Sequence, residues 1–408
     1  MTSPDTVSDL PTGMQLTALD EIYRERPHIY LDALRDRDPV HRDDVLDRYV
    51  LTREADVAAL MRDRSLSLDP ANAPPGSFGA LVLGSTGGDK SMLVLDDPDH
   101  KRLRGLVSKA FNLRSIEALR PRIAAVAERL VAALPEGKPF DIIGGLAAQL
   151  PLVMIAEMLG VDPADSADFY RWSHGAEQGF NPAKTPEQDA KLRANDAALS
   201  AYLRRAVEAR RADRRDDLIS AMVTAEEDGD RMTTAEIVTM CKLLLIAGNV
   251  TTTDLIGNAV LALLENPREL AWLRTHPDRI GDAVEEVLRY DPPVTQTVRI
   301  ALAPVSVGGT TVGAGASIMP SLLAAGRDPA CHADPHAFHI DRPHHTHHAF
   351  GGGAHFCLGA PLAKVEAQVA LVTLLARFKV LELDNRPRTR KAAPSFNGFD
   401  ELWVTGRT

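Results

Sequence analysis

With 408 residues, 45% of them apolar and 25% charged, the chain has the composition of a globular protein with a large core. A net charge of -10 argues against a nucleic-acid partner. Three cysteines, Cys241, Cys331 and Cys357, are too few and too scattered for a disulfide framework and point to a reduced, cytoplasmic compartment.

Met1–Gly13 is polar and carries Asp5 and Asp9, with no cationic segment ahead of an apolar run. No export signal or membrane anchor is expected there, and residues 1–17 are expected to be flexible. Tyr49-Val50-Leu51 reads as a short strand, and Ala71–Gly88, rich in Gly, Pro and Ser, as a long lid-like loop. Ile116–Leu134 repeats apolar residues at helical spacing. The longest helix starts at Thr233 or Thr234, where Thr233 and Glu236 match a capping box, and no proline follows until Pro267. Some 32 residues at 1.5 Å each give about 48 Å. Lys242, Asn249 and Asp254 interrupt its apolar face, which favours a buried helix over a membrane span. Val305–Ile318 predicts a hairpin turning at Gly308-Gly309, Leu362–Phe378 another helix, and Val380–Leu383 and Leu402–Val404 further strands. The expectation is one domain over residues 1–408, mainly α with small antiparallel β-sheets.

The segment Phe350-Gly-Gly-Gly-Ala-His-Phe-Cys-Leu-Gly-Ala-Pro361 carries the chemistry. Its glycines permit tight turns and close approach to a flat ligand. Pro361 suits the first turn of a helix, so Cys357 stands just ahead of a helix N-terminus that favours a thiolate. A lone cysteine is otherwise a small buried hydrophobe, the plain reading of Cys241 and Cys331.

Phe350, Gly351, Gly353, His355, Cys357 and Gly359 match the haem signature of the cytochrome P450 family, and the chain resembles that family over about residues 20–406, closest to its soluble bacterial members. The resemblance implies a triangular helical prism holding haem b, with Cys357 as axial iron ligand and Phe350, Gly351 and Gly359 shaping the loop. It further implies that His355, His100, Arg104 and Arg299 hold the two haem propionates. Glu286 and Arg289 resemble the family's Glu-x-x-Arg pair. At i and i+3 they share a helical face, as an ordinary surface pair would.

Ala247-Gly248-Asn249-Val250-Thr251-Thr252 lies mid-way along the long helix. Small residues there suit a helix crossing, and Thr251 can bond back to a carbonyl or face a cavity. The resemblance makes this the oxygen-binding groove, with Thr251, Gly248, Asn249 and Thr252 as its catalytic set. It departs from the family in having Val250 where an acid is usual, so Asn249, Thr252, water or Asp254 would carry protons. Substrate contacts implied are Leu244, Ala247, Val250, Val294, Thr295, Phe396 and Met92. Gly326 stands where the family has Asn.

His332, His336, His339, His344, His345, His347 and His348 crowd the approach to Cys357 and invite a zinc reading. No second cysteine sits at ligand spacing, so an irregular surface segment is expected. The resemblance implies a haem-thiolate monooxygenase, monomeric, acting on a small apolar substrate: terpenoid, steroid, fatty acid or aromatic. Electrons would come from a ferredoxin docking near Arg102, Lys109, Arg114 and Lys364. A haem-bearing sensor without turnover is the alternative.

Overall fold

Thr233 opens the helix around which the molecule is built. Its hydroxyl accepts from the Glu236 N–H at 3.2 Å while the Glu236 carboxylate accepts from the Thr233 N–H at 2.7 Å, the reciprocal cap its sequence predicts. The helix runs Thr234–Glu265, 32 residues, and stops ahead of Pro267. By length and composition it is apolar enough to cross a membrane, but most of its residues are buried within the protein. This is a computed structural model, and it describes residues 9–84, 90–162, 165–173, 176–227 and 232–408. Residues 1–8 of the expected flexible N-terminus and residues 85–88 of the expected 71–88 loop lie outside the described residues.

Helices Leu113–Ala133, Gln149–Leu159, Pro186–Ala212, Ile280–Tyr290 and Ala360–Arg377 pack around this axis and share its core. Gly257 lets the Ile143 turn come close, since a Cβ there would stand 2.7 Å from the Ile143 side chain. Their apolar faces are thus largely buried against one another, the main stabilising term for a body of this kind.

The sheets are small and mostly antiparallel, as expected, with one parallel pair. A five-stranded sheet runs Val40–Asp43, Arg48–Leu51, Ser317–Pro320, Arg299–Ala301, Leu66–Ser67, and its second and third strands pair in parallel, Arg48 opposite Ser317. The expected Val305–Ile318 hairpin is shorter: Val305–Val307 pairs with Thr310–Val312 across Gly308-Gly309, and Ser317–Pro320 leaves to become the fully buried centre of the larger sheet. Val380–Leu383 is a strand as expected, and it pairs with Trp403–Arg407, which overlaps the expected Leu402–Val404 and pairs on its other side with Pro139–Asp141. The 71–88 loop contains a helix, Phe78–Leu83, N-capped by Ser77. Phe78, Val82 and Leu83 face Val298, Ile300 and Met319, so burial recruits a segment whose Gly and Pro content reads as loop.

Candidate active site

The loop ahead of the helix Ala360–Arg377 closes on itself through the Cys357 N–H, which donates to the Phe350 carbonyl at 2.9 Å. Gly351 and Gly353 have positive φ values of 68° and 63°, a conformation side chains disfavour. Part of the glycine run serves the protein itself rather than a ligand. A Cβ on Gly352 would lie 2.8 Å from Met61 Cβ, and one on Gly353 would overlap the Met61 carbonyl. Cys357 is reached by solvent yet lies deep in the fold. The N–H groups of Gly359 and Ala360 donate to its Sγ, and Arg104 adds positive charge. Burial outweighs them and holds the thiol above its ordinary value. A metal cation at Sγ would displace the proton.

Basic side chains gather beside this loop from two other elements. His100, on the helix Asp99–Val107, stacks its ring 4.0 Å from that of His355. Arg104, one turn on, donates to the Phe356 carbonyl at 2.7 Å. Arg299 is buried and reaches only the Thr297 hydroxyl, the Val298 carbonyl and the Met61 sulfur, with no salt bridge among the described residues. Burial, then His100 and Arg299, push His355 down to about 4, and burial pushes Arg299 down to about 10. Asp96 is the nearest acid, and it is already bonded to Ser67 and Leu68. His100 Nδ1 lies 3.4 Å from Asp97, whereas the buried Arg299 guanidinium has no acid partner among the described residues and so suits an anion.

On the long helix, Ala247 is exposed and Gly248 and Thr251 half-buried, although their neighbours are buried. An exposed alanine at the centre of a core helix marks an internal cavity wall. Thr251 Oγ1 donates to the Ala247 carbonyl at 2.8 Å and remains accessible. Asn249 turns elsewhere, its amide donating to Ser173 Oγ at 2.9 Å, and Thr252 is buried.

Glu286 and Arg289 form a bidentate pair, 2.7 Å at each contact and fully buried, not the surface pair their spacing alone allows. Arg342 joins Glu286 at 3.0 Å, a member that only the folded chain brings in, 56 residues away. Arg289 also donates to the carbonyls of Gly326, Pro335 and Ala337. A Cβ at position 326 would overlap the Arg289 carbonyl, which accounts for glycine there.

Residues 280–397 match the family model described as Cytochrome P450. Vitamin D(3) 25-hydroxylase of Pseudonocardia autotrophica is 39% identical over 382 residues, 93% of this chain and 90% of that protein. Cytochrome P450 monooxygenase PikC of Streptomyces venezuelae is 37% identical over 388 residues, 92% and 90% of the two chains. The chain belongs to the cytochrome P450 family. A solved structure of CYP109E1 from Bacillus megaterium in complex with testosterone superposes with a TM-score of 0.87 at 31% identity, covering 95% of this chain and 100% of that one. The fold is therefore the P450 fold, the cofactor of the family is haem b, and the protein is a P450 monooxygenase. The accessible, deep Cys357 Sγ and the acid-poor group His100, Arg104, Arg299 and His355 fit a thiolate-ligated, dicarboxylate porphyrin.

Of the substrate-contact candidates, Val294 and Phe396 meet in a β-bridge. Leu244, Val250 and Met92 are buried, and Thr295 is buried with its backbone tied to Ser395, Leu322 and Leu323. The P450 histidine-rich segment is stitched to acids on other elements: His336 to Asp32, His339 to Glu269, His347 to Glu285 and His348 to Glu54. In the basic patch, Lys109 and Arg114 are exposed, whereas Arg102 pairs with Glu236 and Lys364 with Glu285. Sequence reasoning missed Glu366, buried on the Cys357-side helix with Oε1 unpartnered, because its apolar neighbours carry no signal of an acid's role.

Proposed function

We propose that this P450 inserts one oxygen atom of O2 into a C–H or C=C bond of a small apolar substrate, on haem b held by Cys357, with electrons from a ferredoxin and its reductase. The observation that carries the reading is the solvent-reached Cys357 Sγ, facing two backbone N–H groups, near a buried Arg299 with no salt bridge among the described residues. Haem b, when bound, supplies the oxygen activation and the C–H chemistry. The chain supplies the rest. Cys357 would hold the haem through Sγ as the thiolate, and the Gly359 and Ala360 N–H groups would stabilise its charge. His100, Arg104, Arg299 and His355 would hold the two propionates. Phe350, Gly351 and Gly359 set the loop that aims Sγ. Gly248 leaves room on the oxygen side, and Thr251 offers its hydroxyl there. Leu244, Ala247, Val294 and Phe396 would exclude water and bind apolar surface.

The names of relatives, a vitamin D(3) hydroxylase and a testosterone complex, make steroids the first compounds to try, ahead of other terpenoids, fatty acids and aromatics. Exposed Lys109 and Arg114 offer an acidic ferredoxin its footing. We further take residues 1–408 as one domain that works as a cytoplasmic monomer. Reduction under carbon monoxide tests the reading: a strongly red-shifted Soret band is expected, and its loss in Cys357→Ala. In Thr251→Ala, reducing equivalents should appear as peroxide. A Cys357→Ala protein with unchanged spectrum and turnover would overturn the assignment.

A further inference from the structure

Three ionisable side chains are buried where the reaction above leaves them unused: Glu177, Asp254 and Lys391. Asp254 sits on the long helix with no exposure. Its Oδ1 accepts from Lys391 Nζ at 2.7 Å, and its Oδ2 has no partner. Glu177, on the turn Ala176–Phe180, has Oε2 buried and likewise without a partner. A cavity of about 20 Å³ is lined by Glu177, Lys391, Asp400, Asn249, Val250 and Thr253. One water requires roughly 10–15 Å³ and two to four polar neighbours, and this cavity provides both.

Two carboxylates against one ammonium leave a surplus negative charge in the interior, which burial penalises unless a proton is retained. Burial pushes Asp254 up to about 6, Glu177 and Asp400 reinforcing it and Lys391 opposing it. Asp141 and Tyr170 complete the titratable surroundings, and Asp400 is exposed. Thr253 Oγ1 donates to the Asn249 carbonyl at 2.9 Å, and Thr251 Oγ1 to that of Ala247. Two such back-bonds, two residues apart, compete with the helix ladder beside the cavity. Val250 lines the cavity, and Thr251 is the next residue.

We propose that Glu177, Asp254 and Lys391, with one water in this cavity, form an internal proton-holding site behind the long helix that serves the oxygen side at Thr251. The inference rests on the monooxygenase reading. A proton released from Asp254 is replaced from solvent by way of the cavity water, so the site returns to its starting charge. Glu177, Asp254 and Lys391 are positioning residues in this scheme, acting through water and Thr251.

Infrared difference spectra of the haem-loaded protein test it. A protonated-carboxyl band should grow as pH falls through about 6, vanish in Asp254→Asn, and move to lower pH in Glu177→Gln, where the neighbouring charge is gone. In both variants the pH profile of substrate turnover should shift and more peroxide should escape. A band that persists in Asp254→Asn, or a Glu177→Gln protein with wild-type band, pH profile and coupling, overturns the proposal. A normal carbon monoxide spectrum without the band sinks this site alone, whereas a missing red-shifted Soret sinks the functional reading.

Discussion

Two buried ionic clusters of this P450 obey different rules. In the Glu286–Arg289–Arg342 cluster, both Glu286 oxygens are bonded, the His339 N–H adds a further donor at 2.8 Å, and Arg289 is satisfied by three carbonyls. Glu286 is held below its usual value: burial, the largest single influence, acts against ionisation, but Arg289, His339 and Arg342 together overcome it. In the Glu177–Asp254–Lys391 cluster one ammonium serves two acids, two carboxylate oxygens lack partners, and Asp254 is pushed up to about 6. A saturated cluster locks the segments it joins, whereas an unsaturated one keeps a proton near exchange. Degree of satisfaction, rather than burial, separates architecture from chemistry.

The contrast breaks most visibly at Arg289. Arg289→Leu leaves Glu286 buried and short of its main partner, and should cost about 3–5 kcal/mol and most of the haem content. Chemical denaturation and pigment yield measure this, and a loss under about 1 kcal/mol would erase the difference between the clusters.

Gly398 comes next. A Cβ there would overlap the Asp254 carboxylate, so Gly398→Ala should destabilise by about 1–3 kcal/mol through crowding at the unsaturated cluster. Pairing it with Asp254→Gly in a double-mutant cycle should recover part of that loss.

Asp254→Asn keeps an acceptor for Lys391 and should cost only about 1 kcal/mol near neutral pH. Its pH signature is sharper. An acid raised from 3.8 to about 6 binds its proton more tightly folded than unfolded, so its contribution to stability falls as pH rises from 3.8 to about 6 and is flat above. That slope should disappear in Asp254→Asn.

Glu366→Gln should have the smallest effect, within about 0.5 kcal/mol at low pH, because burial already keeps Glu366 protonated well above 4.5. As pH rises above 4.5 the unfolded chain ionises and the folded one does not, so the wild type loses stability and the glutamine variant does not. Equal pH slopes in the two proteins would show that Glu366 is charged and partnered.

Much of this was legible before folding, where cause and effect lie within a few residues. The long helix followed from Thr233, Glu236 and Pro267, the cysteine loop from its own glycines, histidine and proline, and the Glu286–Arg289 pair from i, i+3 spacing. The Phe78–Leu83 helix was hidden because Gly, Pro and Ser outweighed a six-residue apolar run that only Val298, Ile300 and Met319 make worth burying. Ser317–Pro320 was misassigned because its partner, Arg48–Leu51, lies far away in the chain, and nothing in either strand encodes that pairing.

By itself, the sequence determined which groups can do chemistry: a cysteine in a turn before a helix, a threonine among small residues, an acid and a guanidinium on one helical face. Tertiary structure alone decided the state of those groups. It raised the Cys357 thiol by burial, added Arg342 to Glu286, seated Gly352 and Gly353 on Met61, and gathered Glu177 and Lys391 around Asp254. Desolvation and long-range ion pairing depend on what surrounds a group in space, and chain neighbours supply only a small part of that surrounding.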